Sequence, residues 1–352
     1  LNLKIPKEAI PISLGREVAT IKHGIHIDLY KTFVNKSIQG YAFGNKYTEH
    51  TLNAVSEAIL EEEKVEVEGS INDLPLMKLA YYNYTDARLT LALTTYDNDL
   101  LMKLLVTLSR VAHMSIEDTS RLSVSNWIRS MLINEHRRRN ALVPRKEEVE
   151  GKGQEAVSKA IIKGKKYQGG FVIEPLPGVH FNVVVLDFAS LYPSIIKVFN
   201  LSYETVKCPH EECRDNVLPN TVYWVCKKNR GMTSLLIGAL RDIRVNYFKR
   251  LSKQAKTKEE KEFYNVISQA LKVVLNASYG VMGFENFPFY CLPVAESTTA
   301  LGRYAIQQTI EKAKALGVTV IYGDTASLVR KNASEDQIRE MIDVEKDKLG
   351  ID

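Results

Sequence analysis

Asp187 ends an apolar run, Val183-Val184-Val185-Leu186, and Ser190-Leu191-Tyr192-Pro193 follow closely. A carboxylate at the tip of a strand can hold a divalent cation, and the unpaired N–H groups of a helix starting there bind anionic oxygens. The pair suits a metal-bound phosphate. Taken alone, Asp187 is only an acidic residue at a helix N-terminus. A second group is Lys272, Asn276 and Tyr279, followed by Gly280. Spacings of four and three put these side chains on one helical face, where a cation, an amide and a ring suit a phosphate, a polar edge and a base. The plain alternative is a lysine lying along the surface of a helix that stops at Gly280. Asp324, between apolar segments 318–322 and 328–329, is either a ligand or a turn residue. Cys208, His210 and Cys213, with Cys226 thirteen residues on, also carry metal-binding atoms. Their spacing fits no standard zinc finger, and zinc is not expected.

The elements that must position these groups follow from periodicity. The run ending at Asp187, then Ser190 and Pro193, reads as strand, turn, helix. Apolar positions Leu235, Leu236, Ala239, Leu240, Ile243 and Tyr247 mark a helix over 231–255. Phe263, Val266, Ile267, Ala270, Leu271 and Val274 mark another over 260–279. The short polar connection between them predicts an antiparallel helical hairpin. A further helix is expected over 295–316, and Gly323-Asp324-Thr325-Ala326 reads as the turn of a β-hairpin. Residues 1–110 read as mostly helical, including a run over 74–108. Residues 111–165 are helical, then polar and basic, as expected of a connection.

Composition narrows the class. With 352 residues, 45% hydrophobic and 25% charged, the chain is an ordinary globular sequence of two or three domains. No apolar run reaches the ~20 residues that cross a bilayer. The four cysteines do not make a disulfide scaffold, which favours an intracellular home. The first residues lack an initiator Met and a secretory apolar region, as expected of a fragment. Net charge is +5, and eleven basic residues between Lys227 and Lys261 face only Asp242, Glu259 and Glu260. Each such cluster is a solvated helix face on its own; several of them raise the expectation of a phosphate-rich partner.

Four segments carry a family resemblance. Asp187 to Ile195, DFASLYPSI, resembles motif A of the B-family DNA polymerases. Lys272 to Gly280, KVVLNASYG, resembles motif B, and Ile321 to Leu328, IYGDTASL, resembles motif C. Tyr167-Gln168-Gly169-Gly170 matches the YxGG element between the exonuclease and polymerase modules. The similarity is to archaeal replicative enzymes, the crenarchaeal kind in particular, over essentially the whole chain. It implies an α+β fold. The expected order is the C-terminal part of a ribonuclease-H-like 3′–5′ exonuclease domain (1–110), a helical connection (111–165), a first palm part (166–230), two-helix fingers (231–280), and a second palm part with the motif C hairpin (281–352). The palm would hold a mixed or antiparallel sheet, and the thumb and N-terminal domain would be absent. The reaction implied is template-directed transfer of a deoxynucleotide to a primer 3′-hydroxyl with two Mg²⁺ or Mn²⁺ ions.

The resemblance assigns metal to Asp187, the Phe188 carbonyl and Asp324. It assigns the triphosphate to the N–H groups of Ser190, Leu191 and Tyr192, and exclusion of a 2′-hydroxyl to Tyr192. Lys272 would pair with phosphates together with Arg241 or Arg244. Asn276 and Tyr279 would line the nucleotide pocket, while Tyr167, Gly169, Gly170 and Gly280 would approach DNA. Primer-template DNA and deoxynucleotides are the implied partners, with a sliding clamp or accessory subunits as further candidates. The implied location is the archaeal cytoplasm, at the nucleoid.

The chain also departs from the family pattern. Motif C has Ala326 where the family places its second Asp, and Ala offers no side-chain oxygen. Losing a charge-stabilising group of this kind costs ~10²–10³-fold in rate, so catalysis is expected to be severely impaired. Tyr82-Asn83-Tyr84-Thr85-Asp86 matches the third proofreading motif, but the first two motifs are missing, so proofreading is not expected. A polymerase-shaped DNA-binding scaffold without catalysis is the alternative reading. A disulfide between Cys226 and Cys208 or Cys213 is expected, because intracellular proteins of hyperthermophiles form them. Free thiols in a surface loop are the alternative there, and Cys291 reads as a small core residue.

Overall fold

Side-chain caps start several of the helices. In a computed structural model, which describes residues 12–14, 19–21, 24–67, 69–153, 170, 172–324 and 327–351, the chain folds as two compact units. One comprises Leu1–Met131 with Lys256–Val273, the other Leu132–Ala255 with Val274–Asp352. Two of the borders, Met131–Leu132 and Val273–Val274, fall inside helices, and the third, Ala255–Lys256, falls in a connection between helices.

The first unit begins with an antiparallel hairpin, β1 (Ile12–Leu14) and β2 (Ala19–Ile21). Asp28 caps α1 (Leu29–Val34) and Asn35 caps α2 (Lys36–Phe43), each accepting a hydrogen bond from a first-turn N–H. Thr51 does the same for α3 (Leu52–Leu60). The predicted run over 74–108 forms α4 (Leu76–Ala112), but Tyr96–Asp99 leave the helical conformation. Asp97, Asn98 and Asp99 all take positive φ there, which short polar side chains tolerate. On either side Leu89, Leu93, Leu101, Leu104, Leu105 and Leu108 are buried. α5 (Ile116–Arg121) returns against α1 and α4, and α6 (Val124–Arg138) runs across the border between the units. Among the described residues of this unit, β1–β2 is the only sheet.

The second unit takes in the end of α6 together with α7 (Lys146–Glu150) and is built on a four-stranded antiparallel sheet. Its strands are β3 (Val172–Ile173), β4 (Val183–Asp187), β5 (Thr319–Asp324) and β6 (Ser327–Lys331), in spatial order β3-β5-β6-β4. After β4 comes α8 (Leu191–Val198). The helix predicted over 231–255 is three pieces in one continuous stretch: α9 (Met232–Asp242), a π-helical turn (Ile243–Phe248) and α10 (Lys249–Gln254). α11 (Lys258–Met282) again crosses the border between units. α12 (Leu292–Ala315) is buried at every position from Leu292 to Gly302 and packs against α8 and β5. Its Thr298 hydroxyl donates to the Val294 carbonyl, 2.7 Å, which satisfies a polar group inside the core. α13 (Glu335–Leu349) closes against α12.

Candidate active site

The site starts from strand register. Asp187 pairs with Ser327, and so does Asp324 from the other side, so the three form one row across β4, β6 and β5. Directly opposed residues share a face of the sheet, so both carboxylates leave the same side, from backbones about 10 Å apart at ordinary strand spacing. The Ser327 hydroxyl donates to Asp187 Oδ1 at 2.7 Å, and both aspartates are exposed. A bulge makes this row. Val320 pairs with Arg330 but Tyr322 pairs with Val329, so Ile321 is skipped. Without it Asp324 would fall opposite position 326.

The turn after Asp187 is strained. Ser190 sits at φ 61°, ψ 57°, a left-handed conformation that is costly for a residue other than Gly, Asn or Asp. It redirects the chain into α8, whose first N–H groups have no acceptor within the helix. Arg244, on the π-helical turn, donates from Nη1 to Ser190 Oγ at 3.1 Å. Burial pulls its guanidinium below the ordinary arginine value. Arg241 goes elsewhere. Its Nε donates to Ser194 Oγ at 3.1 Å and its Nη1 to Asp242 Oδ1 at 3.2 Å, and its side chain is 5% exposed. Asp242 in turn accepts from Lys197 at 2.6 Å. Arg241 therefore ties α9 to α8, and Arg244 is the one at the turn.

Tyr192 stands on the next turn, its ring 4.5 Å from that of Tyr279 on α11. Gly302 of α12 makes room for it, since a Cβ there would lie 2.9 Å from Tyr192 Cε1. Burial pushes the Tyr192 hydroxyl well above its ordinary value, with Tyr279 adding and Arg303 opposing. Burial also lowers the Arg303 guanidinium, against Tyr192 and Glu296. Gly302, Arg303 and Ser327 escaped sequence reasoning. A glycine inside an apolar helical pattern was the one available signal.

The chain matches the model of DNA polymerase family B over residues 115–347. It is 46% identical to DNA polymerase 1 of Saccharolobus solfataricus and 45% identical to DNA polymerase 1 of Sulfurisphaera ohwakuensis, in each case over all of this chain. The chain belongs to DNA polymerase family B. It spans about two-fifths of the curated relatives it matches, 40% and 41% of these two. The structure of the family B DNA polymerase from Pyrobaculum calidifontis superposes with a TM-score of 0.65 at 26% identity, covering 95% of this chain and 42% of that one.

The other motif residues of this family B chain fall as follows. Asn276 is exposed and Tyr279 half-buried on α11, which also carries Lys272 one turn earlier, in the stretch that belongs to the first unit. Gly280 does not end the helix, which continues to Met282, and a Cβ there would meet nothing within 4 Å. Phe188 is buried beside Asp187. Gly170 is exposed, while Tyr167, Gly169, Thr325 and Ala326 lie outside the described residues. In the first unit, Lys64 Nζ sits 2.8 Å from Asp86 Oδ2 and donates to the Tyr82 hydroxyl at 2.9 Å. An ammonium thus occupies the carboxylate that the proofreading motif would offer to metal. Partial burial works against the charge on Lys64, but Asp86 and Tyr82 outweigh it and its pKa is raised. The expected disulfide is not formed: the four cysteines are free thiols, and Cys208, Cys213 and Cys226 converge on His210 instead.

Proposed function

We propose that the second unit is the nucleotidyl-transfer palm of a DNA polymerase that takes primer-template DNA and deoxynucleoside triphosphates, with catalysis severely lowered by Ala326. The observation that supports it is the Asp187–Ser327–Asp324 row, which puts two exposed carboxylates on one face beside the Arg244-bound turn at Ser190. Oxygen donors of this kind suit hard cations. Mg²⁺ or Mn²⁺ held by Asp187, Asp324 and the Phe188 carbonyl would supply Lewis-acid activation of the primer hydroxyl and charge neutralisation on the leaving pyrophosphate.

The chain's own residues do the rest. Arg244, with the first N–H groups of α8, binds the triphosphate. Tyr192, seated on Gly302 and against Tyr279, lies beneath the sugar and leaves no room for a 2′-hydroxyl. Asn276 and Tyr279 border the base. In this reading 231–280 are the fingers and 1–110 an exonuclease remnant without proofreading. A sliding clamp and a place at the archaeal nucleoid belong with it. Among the described residues no helix is long and apolar enough to cross a membrane.

A non-catalytic DNA-binding scaffold is the second reading, favoured by Ala326 and by the Lys64–Asp86 pair. Single-nucleotide primer extension with Mg²⁺ separates them. Restoring the carboxylate by Ala326→Asp should raise the rate ~10²-fold or more. Equal rates for the two forms would remove Ala326 as the cause, and no extension by either would favour the scaffold.

A further inference from the structure

Between α8 and α9 the chain makes a loop that carries three of its four cysteines. Cys208, Cys213 and Cys226 are buried together, with Trp224 packed on them as a half-buried apolar partner. His210 stands at the same point, and one ligand atom from each of the four residues lies within 4.8 Å of all the others. Four ligands on one tetrahedral Zn²⁺ would sit about 3.6–3.8 Å apart, from bonds of about 2.3 Å to sulfur and 2.0 Å to nitrogen. The Cys226 Sγ to His210 Nδ1 distance is already 3.4 Å. We propose that Cys208, His210, Cys213 and Cys226 form a closed structural zinc site.

The surroundings support a thiolate cluster. The Lys227 N–H donates to Cys213 Sγ and the Asn229 N–H to Cys226 Sγ, each at 3.3 Å, the backbone support that metal-bound sulfur receives. Four ligands from the protein leave no open position, as in structural rather than catalytic zinc sites. Three sulfurs and an imidazole select zinc over Mg²⁺ or Mn²⁺, so this site is chemically separate from the Asp187 and Asp324 pair. On binding, the three thiols release their protons to solvent, leaving a cluster of net charge −1. A disulfide would strand the third cysteine, and the free thiols here do not make one. Sequence reasoning passed the site over because Cys-x-His-x₂-Cys followed by a distant Cys fits no standard finger; the loop geometry completes it.

The site has a structural consequence. Asn200, just after α8, donates to the carbonyls of Cys226 (3.1 Å) and Asn229 (2.8 Å) and accepts from the Gly231 N–H that precedes α9 (2.9 Å). Metal at the cysteines would hold the strand bridges Val206–Val225 and Val217–Trp224, and through Asn200 the seating of α9 on α8. This inference does not depend on the polymerase reading.

The test is elemental analysis of the full chain purified under reducing conditions, with a thiol titration. One zinc per chain is expected, and replacing it with Co²⁺ should give the near-ultraviolet charge-transfer band and visible bands of tetrahedral cobalt–thiolate. Cys213→Ser should lower metal content at least about tenfold, and a folded Cys291→Ser chain should keep it. Should Cys213→Ser fail to fold, the stoichiometry and cobalt spectrum of the unsubstituted chain decide alone. A metal-free chain that takes up neither zinc nor cobalt overturns the site, as does a disulfide among the three cysteines or loss of metal from folded Cys291→Ser.

Discussion

Arg241 and Arg244 lie three residues apart and meet different partners. Arg241 is buried between Ser194 and Asp242, so Arg241→Ala removes two hydrogen bonds and leaves a void where α9 meets α8. A stability loss of about 2 kcal/mol in urea unfolding is expected. Arg244→Ala removes a donor to the Ser190 turn and should cost less than that. Its effect should appear in deoxynucleotide binding, weakened about tenfold in the Ala326→Asp background, from the loss of one charged hydrogen bond. Unchanged nucleotide binding in Arg244→Ala would remove that arginine from the site. Two cations on one helical face look equivalent in a sequence. Only the packing of α9 on α8 and the π-helical turn tell them apart.

At the scale of elements, two glycines in the motif region have opposite surroundings. Gly302 of α12 is pressed against Tyr192, whose ring also meets Tyr279. Gly302→Ala must move that ring, and a loss of about 1–3 kcal/mol is expected. The same change should erode discrimination between deoxy- and ribonucleotides, read from incorporation of each in the Ala326→Asp background. Gly280 lies inside α11 with open space where a Cβ would stand. Gly280→Ala should therefore stabilise by about 0.5–1 kcal/mol, while lowering DNA affinity if the duplex approaches there. Higher stability with unchanged DNA affinity would take Gly280 out of the DNA-contacting set. The bulge at Ile321 belongs to the same scale, since one skipped residue decides which face of the sheet Asp324 uses.

For the whole molecule, net charge is +5 and the basic residues gather between Lys227 and Lys261. Binding to primer-template DNA through phosphates should then fall steeply with salt, by ~10²-fold or more between about 50 and 200 mM. Fluorescence anisotropy of labelled DNA would show it. A flat salt response would leave the basic stretch without a role in DNA binding.

What the sequence determined by itself was the local chemistry and its order. The strand ending at Asp187, the turn into α8, the helices flanking 255–257 and the hairpin around Asp324 all follow from short-range patterns of burial, capping and turn residues. So did the family, because its motifs are contiguous strings. Tertiary structure decided which of those residues meet. The Asp187–Ser327–Asp324 row depends on pairing across 140 residues of chain, the seat of Tyr192 on a helix a hundred residues later, and the Lys64–Asp86 pair on the packing of α4 against the segment before it. The cysteines show the same limit. Their spacing matched no standard motif, and convergence on His210 comes from a loop closed on itself by the bridges Val206–Val225 and Val217–Trp224, which no spacing rule anticipates.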